Sequence, residues 1–393
     1  MQPWPEAPAG VAAVKLRLLI VTDEMEVGGT QRQIRNLAMG LHAQGHVVSL
    51  VFFREHSHFV DELRAAGIRV VHLPKRGRVD PRFFRRLVHE LKAGRYDVVH
   101  AFAFSAEVWT ALARRWLCRD QRPPLVTSVR GSYAWYSGLQ WRVKRWVSSQ
   151  STHVVANSRV AAGFATEHMR WDRPTLTVIY NGVAVEPVSR SRRDVLRAAW
   201  LRGESSAVAL FVGRLVSVKD VATLIRAAAS LRDTACALHV VICGDGPLRE
   251  ELQHLTEQLK IQDRLHFLGV RDDVADLIEA SDMLVMPSQQ EGLSNAILEA
   301  MRGARPVVAT RAGGNVELVE PEQTGLMVNV GDVPGLAQAM RRLALDPALR
   351  DRMGRRAAER IQAQFSVSAM VDASLRIYLQ AHHQPRYVGV AGR

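Results

Sequence analysis

Residues 16–53 read LRLLIVTDEMEVGGTQRQIRNLAMGLHAQGHVVSLVFF. A run of β-branched residues and leucines at 16–22 gives way to apolar residues at helical spacing from about Gly29 to Gln44, then to a second strand-like run at 46–53. Strand, helix, strand in this order is the unit of a parallel sheet, because parallel neighbours need a crossover and a helix supplies it. The alternation continues through IRVVHL (68–73), DVVHAFA (97–103), PLVTSV (124–129), THVVAN (152–157) and LTVIY (176–180). It breaks at EPVSRSRRDVLRAAWLRGESS (186–206), rich in Pro, Ser and Arg with only a short helical pattern, and resumes with AVALFVG (207–213), ALHVVIC (237–243), LHFLG (265–269), MLVMP (283–287), PVVA (306–309) and GLMVN (325–329). The reading is an α/β protein with two Rossmann-like, doubly wound domains, 1–187 and 188–365, followed by one more amphipathic helix.

The 393 residues suffice for two domains with their own cores, and 47% hydrophobic with 23% charged residues is a globular balance that excludes disorder. No run reaches the roughly 18 to 20 apolar residues of a membrane span. The first fifteen residues, MQPWPEAPAGVAAVK, lack the basic start and apolar run of a secretory signal. The three cysteines, Cys118, Cys236 and Cys243, have no metal-ligand spacing, so a cytoplasmic location is expected. Charge is lopsided: residues 1–185 carry 26 Lys+Arg against 14 Asp+Glu, and residues 186–393 carry 26 against 25. A basic half attracts polyanions, whether nucleic acid, an anionic membrane leaflet or a phosphorylated substrate, but no recognition helix, zinc or RNA-binding signature supports nucleic acid.

Ligands of open parallel sheets bind beyond the carboxyl ends of the strands, and four motifs lie there. Gly28 and Gly29 follow the first strand and open a helix, which suits either an anion held by free amides or an ordinary turn. In LFVGRLVSVKD a strand ends at Gly213, with Arg214 and Lys219 on the loop beyond; a forked and a point cation can hold a diphosphate. CGDGPLREEL places turn chemistry at another strand end. In MPSQQEGLSNAILEAMRGARPVVATRAGGNVELV, Glu291 and Glu299 are eight residues apart, about 12 Å and about 80° on a helix. With Glu291 at the helix start, Gly292, Leu293 and Ser294 would offer amides to phosphate.

This last segment resembles the motif of the retaining family-four glycosyltransferases (glycosyl transferases group 1), in which two glutamates bracket seven residues. GRLVSVKD, GDGPL, IYNGV (179–183) and GGTQ resemble further motifs of that family in the same order, from about Leu16 to Tyr378. The resemblance implies a GT-B fold, with two domains facing across a cleft: an N-terminal acceptor domain and a C-terminal domain for a nucleotide-sugar donor, a UDP-sugar foremost. The segment 366–393 would pack back on the first domain. It also implies that Arg214 and Lys219 stabilise the diphosphate leaving group, that Glu299 binds ribose, that Glu291 orients the sugar, and that Gly28 and Gly29 let the N-terminal loop close on phosphate. No Asp-x-Asp occurs in the chain, so neither a metal nor another cofactor is expected. Many relatives carry a histidine after the strand PLVTSV, where this chain has Arg130, which cannot act as a base. His100 is the nearest alternative, and a packed histidine at a strand end fits it equally.

The stretch YAWYSGLQWRVKRWVSS (133–149) puts Trp135, Tyr136, Leu139, Val143, Trp146 and Val147 within about 120° of a helical wheel, with Arg142, Lys144 and Arg145 outside that arc. Such a helix either covers its own sheet or lies on an anionic membrane. The second option makes the protein a peripheral enzyme on the inner face of the cytoplasmic membrane. The expected activity is sugar transfer to a glycan or polyprenyl-linked acceptor in envelope or exopolysaccharide synthesis. Competing readings are a nucleotide-sugar epimerase or a phosphorylase on the same fold, and a non-catalytic glycan-binding relative.

Overall fold

The computed structural model describes residues 14–55, 58–131, 133, 136–169, 176–184, 190–201, 206–232, 234 and 236–383. All the apolar runs quoted above become strands: β1 (Arg17–Val21), β2 (Val47–Phe52), β3 (Arg69–His72), β4 (Val98–Ala101), β5 (Leu125–Val129), β6 (His153–Ala156), β7 (Leu176–Val178), β8 (Ala207–Val212), β9 (Leu238–Cys243), β10 (Leu265–Gly269), β11 (Met283–Met286), β12 (Val307–Thr310) and β13 (Gly325–Val328). They form two parallel sheets, ordered β3-β2-β1-β4-β5-β6-β7 and β10-β9-β8-β11-β12-β13. Strands such as β5 and β9 are buried along their whole length. Burial on both faces explains why they read as continuous apolar runs and not as alternation.

One compact unit comprises Met1–Gly182 with Val367–Arg393, the other Val183–Ser366. The chain thus changes unit a few residues before the Pro-rich stretch at 186–206. The reason is local pairing: the Val183 amide donates to Phe365 O at 3.0 Å, and Val183 bridges Ser366 in parallel register. The short helical pattern of that stretch is a full helix, Arg190–Leu201, and belongs to the second unit, where Arg197 binds Asp282 Oδ2 (3.0 Å) and Ser206 O (3.0 Å).

In the first unit Leu19, Val21, Val99, Phe83, Leu87 and Val147 share one core. The helix Pro81–Gly94 starts where it does because the Asp80 side chain accepts from the amides of Arg82 and Phe83, with Pro81 preset for the first turn. The final helix, Val367–His383, packs on the helix Gly29–Ala43 and on β4. A Cβ at Gly40 would collide with Val371, so glycine sets that approach, and Gln44 Nε2 donates to Asp372 Oδ1 at 2.8 Å. Strand order reverses once in each sheet, between β1 and β4 and between β8 and β11. Those two switch points are where a doubly wound sheet opens a crevice at its carboxyl edge.

Candidate active site

The second unit's switch point gathers the motifs of that half. Beyond β8, the Gly213 amide donates to Cys243 O (3.0 Å) and the Leu215 amide to Asp245 O (2.9 Å), so the Arg214 loop lies on the Gly244–Gly246 turn. A Cβ at Gly244 would overlap the Gly213 carbonyl, and one at Gly246 the Leu215 carbonyl. Beyond β12, Gly313 and Gly314 lie as closely under the carbonyls of Glu291 and Gly292, which follow β11, and Gly313 has φ +50°. Each loop therefore rests on a glycine shelf that admits no side chain.

Between the shelves Lys219 Nζ is bonded to Glu291 Oε1, which also accepts from Ser288 Oγ at 2.8 Å. The lysine side chain is 20% exposed and the glutamate 9%. The Gln289 amide donates to Val218 O (2.8 Å), which ties the two loops together. Arg214 is exposed and has no ion-pair partner among the described residues.

The helix carrying Glu299 runs Asn295–Arg302, not from Glu291. Ser294 is its N-cap, accepting from the Ile297 amide at 3.5 Å. Glu291 is thus a loop residue, and the separation of about 12 Å and about 80° calculated for one continuous helix does not apply. Gly292 is a poor helix former, and a serine two residues later takes the cap. The amides of Gly292 and Leu293 have no acceptor among the described residues, while the Leu293 side chain is buried. Glu299 is half-buried. Its charge is felt at Cys243, at the end of β9, where burial before anything else pushes the thiol up to about 11.

The first unit's switch point is built differently. Asp23, just beyond β1, accepts the Ala106 amide at 2.9 Å, in the helix Phe104–Arg115 after β4. Burial pushes its carboxyl up to about 6, with that amide and Arg54 pulling the other way. Gly28 caps the helix Gly29–Ala43 in extended conformation, and a Cβ there would meet only the flexible end of Gln31. His100, on β4, is buried and bonded on both ring nitrogens, Nδ1 with Tyr378 Oη (2.7 Å) and Nε2 with Ser128 Oγ (2.8 Å). Burial, seconded by Arg130, drives its pKa down to about 3. It is a packed histidine that ties the final helix to the sheet, not a base.

Arg130, just past β5, is half-buried. Its Nη2 donates to Asn181 Oδ1 at 2.6 Å, its amide to Tyr133 Oη at 2.9 Å, and its guanidinium carbon lies 5.7 Å from the centre of the Phe102 ring. Burial lowers its pKa to about 10, so it stays a cation at neutral pH. Asn181 was legible within IYNGV. Asp23, Tyr133 and Asn157 were not singled out, although Asp23 directly follows one strand run and Asn157 ends another.

The helix proposed for a membrane, Gly138–Gln150, turns inward. Val143, Trp146 and Val147 join the core of the first unit. Lys144 is 2% exposed and bonded to Glu107, itself 0% exposed. Trp135 lies outside the described residues. Among the described residues no helix is long and apolar enough to cross a membrane.

Two family models match: "Glycosyltransferase Family 4" over residues 27–187 and "Glycosyl transferases group 1" over 192–360. A D-inositol 3-phosphate glycosyltransferase of Salinispora arenicola is 30% identical over 326 residues, 74% of this chain and 70% of that protein. The chain belongs to the family 4 (group 1) glycosyltransferases. The lipopolysaccharide core biosynthesis glycosyltransferase LpsD of Rhizobium meliloti is 35% identical over 208 residues, 53% of this chain and 58% of LpsD. In structure, Anabaena Alr3699/HepE, solved with UDP and glucose, superposes with a TM-score of 0.82 at 22% identity, covering 93% of this chain and all of that one. The fold of this glycosyltransferase is GT-B, as expected from the sequence.

Proposed function

We propose that this glycosyltransferase moves a sugar from a nucleotide-diphosphate sugar, a UDP-sugar foremost, to a glycan or polyprenyl-linked acceptor in cell-envelope or exported polysaccharide synthesis. The observation that carries the reading is the Lys219–Glu291 pair lying across the β8/β11 switch point between two glycine shelves, with unpaired Arg214 and unbonded amides beside it. The complex of HepE with UDP and glucose and the name of LpsD support the donor and the pathway class.

Cleaving a sugar–diphosphate bond builds negative charge on the leaving oxygen. Lys219, Arg214 and the amides of Gly292 and Leu293 are fixed donors that stabilise such charge without reorganising and without a metal. On diphosphate binding Lys219 exchanges part of its bond with Glu291 for phosphate, which frees a carboxylate oxygen to accept a sugar hydroxyl. Glu299 accepts from ribose. Retention follows from front-face attack, with the departing phosphate taking the acceptor proton.

The side of the first unit suited to an anionic membrane is the helix Pro81–Gly94, not Gly138–Gln150. Arg76, Arg78, Arg82, Arg85 and Arg86 are exposed and without ion-pair partners among the described residues, beside Val79 (77% exposed) and Trp116 (75% exposed). Each cation near such a surface contributes about 1 kcal/mol. Flotation with anionic vesicles at low salt checks this: wild type floats, Arg82→Glu/Arg85→Glu/Arg86→Glu does not. Equal flotation of both rejects the assignment.

The donor reading is tested by thermal shift and donor hydrolysis with UDP-, GDP- and ADP-sugars. One donor should stabilise the wild type and be hydrolysed slowly, and Lys219→Ala and Glu299→Ala should lose that response. Stabilisation without turnover would indicate a binding protein on the same fold.

A further inference from the structure

At the amino ends of β1, β2 and β3, the edge of the first unit's sheet opposite its switch-point crevice, lies a cavity of about 460 Å³. Lys15, Arg17, His42, His46, Arg69 and Glu90 line it together. Its volume is that of a small-molecule site. The five residues of β1 alone set it about 16 Å from the crevice, so it is no part of the candidate active site.

His46 is the fixed polar group of this cavity. It is 5% exposed, and its Nδ1 accepts the Leu16 amide at 3.2 Å. That bond places the ring proton on Nε2, which has no partner among the described residues. Burial first, and then the charge of Lys15, lower its pKa, so the ring is a neutral N–H donor at neutral pH. A buried donor without a protein acceptor is costly unless something else that enters the cavity supplies one.

Two cations line the cavity with it. Lys15 is exposed and forms no ion pair among the described residues. Arg17 commits Nε to Gly94 O (3.1 Å), which leaves both terminal nitrogens of its fork without a protein acceptor among the described residues. Glu90, the carboxylate on the wall, is already neutralised, since it accepts from both terminal nitrogens of Arg69 and from Tyr96 Oη. Asp97, which accepts the Arg17 amide at 2.7 Å, does not line the cavity. The helix-end carbonyls that would repel an anion are also occupied: Leu41 O by the His46 amide (3.2 Å), His42 O by the Gly45 amide (2.9 Å) and Gly94 O by Arg17. The result is two uncompensated positive charges around one buried N–H, which is the recognition set of a dianion.

We propose that this cavity is a second ligand site of the chain, for a phosphate monoester with a small organic body, with His46 Nε2 donating to the phosphate and Lys15 and Arg17 balancing its charge. It is an effector site and not an acceptor subsite. The helix Gly29–Ala43 begins beside the first switch point and runs about 22 Å to the cavity, so a ligand held at His46 braces the far end of that helix.

Calorimetry on the full chain with D-glucose 6-phosphate, neutral methyl glucoside and inorganic phosphate tests the proposal, with amide hydrogen exchange to place the ligand. Wild type should bind the sugar phosphate at least about tenfold more tightly than the glucoside. It should bind inorganic phosphate more weakly than the ester, and exchange at residues 42–47 should slow. Lys15→Gln/Arg17→Gln, which alters two exposed side chains, should lose the preference. His46→Gln should lose it too, and the double variant decides the matter if His46→Gln fails to fold. Lys219→Ala and Arg82→Glu/Arg85→Glu/Arg86→Glu should keep it, because they change the donor clamp and another basic face. The proposal is overturned if wild type shows no preference, if the double variant keeps it, if either control variant abolishes it, or if exchange slows only elsewhere. Inorganic phosphate bound as tightly as the ester would assign the site to the free ion and overturn the organic body.

Discussion

Two lysine–glutamate pairs, one in each unit, bridge elements beyond strand ends and do opposite work. Lys144 and Glu107 are sealed in the first unit, and Glu107 also accepts the Ser128 amide (3.0 Å) while Lys144 donates to Ser128 O (3.1 Å). Burial pushes the Glu107 carboxyl up, and the lysine opposes it. Lys219 and Glu291 face solvent in part, on loops whose glycines keep the backbone low. The same two residue types make a rivet where water is excluded and an exchangeable clamp where a ligand can compete. Burial, not the pairing itself, separates structure from function here.

That contrast can be broken by truncating each lysine. Lys144→Ala leaves a buried carboxylate uncompensated and should cost about 3–5 kcal/mol in a denaturant melt. Lys219→Ala should cost only about 1–2 kcal/mol, because Ser288 still donates to Glu291 and water reaches the site. Equal losses would erase the distinction.

Asp23 sharpens it from the side of the first switch point. Its folded pKa of about 6 lies above the usual 3.8, so the folded state holds the proton longer. The group therefore favours folding at low pH, and that contribution is lost as pH rises from about 4 through 6. Asp23→Asn keeps an acceptor for the Ala106 amide and should raise stability at pH 7 by up to about 3 kcal/mol, with the gain fading toward pH 4. A gain independent of pH would mean that the carboxyl is not desolvated.

What was legible in the sequence followed from the backbone. Parallel strands buried on both faces announce themselves as apolar runs, so the sheets could be read directly, whereas Gly244 read only as turn chemistry and Gly313 only as part of a motif, because the carbonyls they lie under belong to other strand ends. Lys219 and Glu291 were each marked by a motif, but their bond joins residues 72 positions apart and needed the strand order. Side-chain roles set by distant partners were misread. A helical wheel put Lys144 on the solvent side because it cannot see Glu107, 37 residues away. His100 stood open as a base because Tyr378, 278 residues on, was invisible. The helix before Glu299 was extended too far because Ser294, a strong cap, was counted as a ligand amide.

The central claim is that the clamp in the second unit, and not the rivet in the first, grips the donor. Calorimetric titration of UDP-glucose into wild type and Lys219→Ala tests it most directly. The variant, still folded, should lose at least about tenfold in affinity, the scale of one charge-assisted contact. Undiminished binding by folded Lys219→Ala would contradict it.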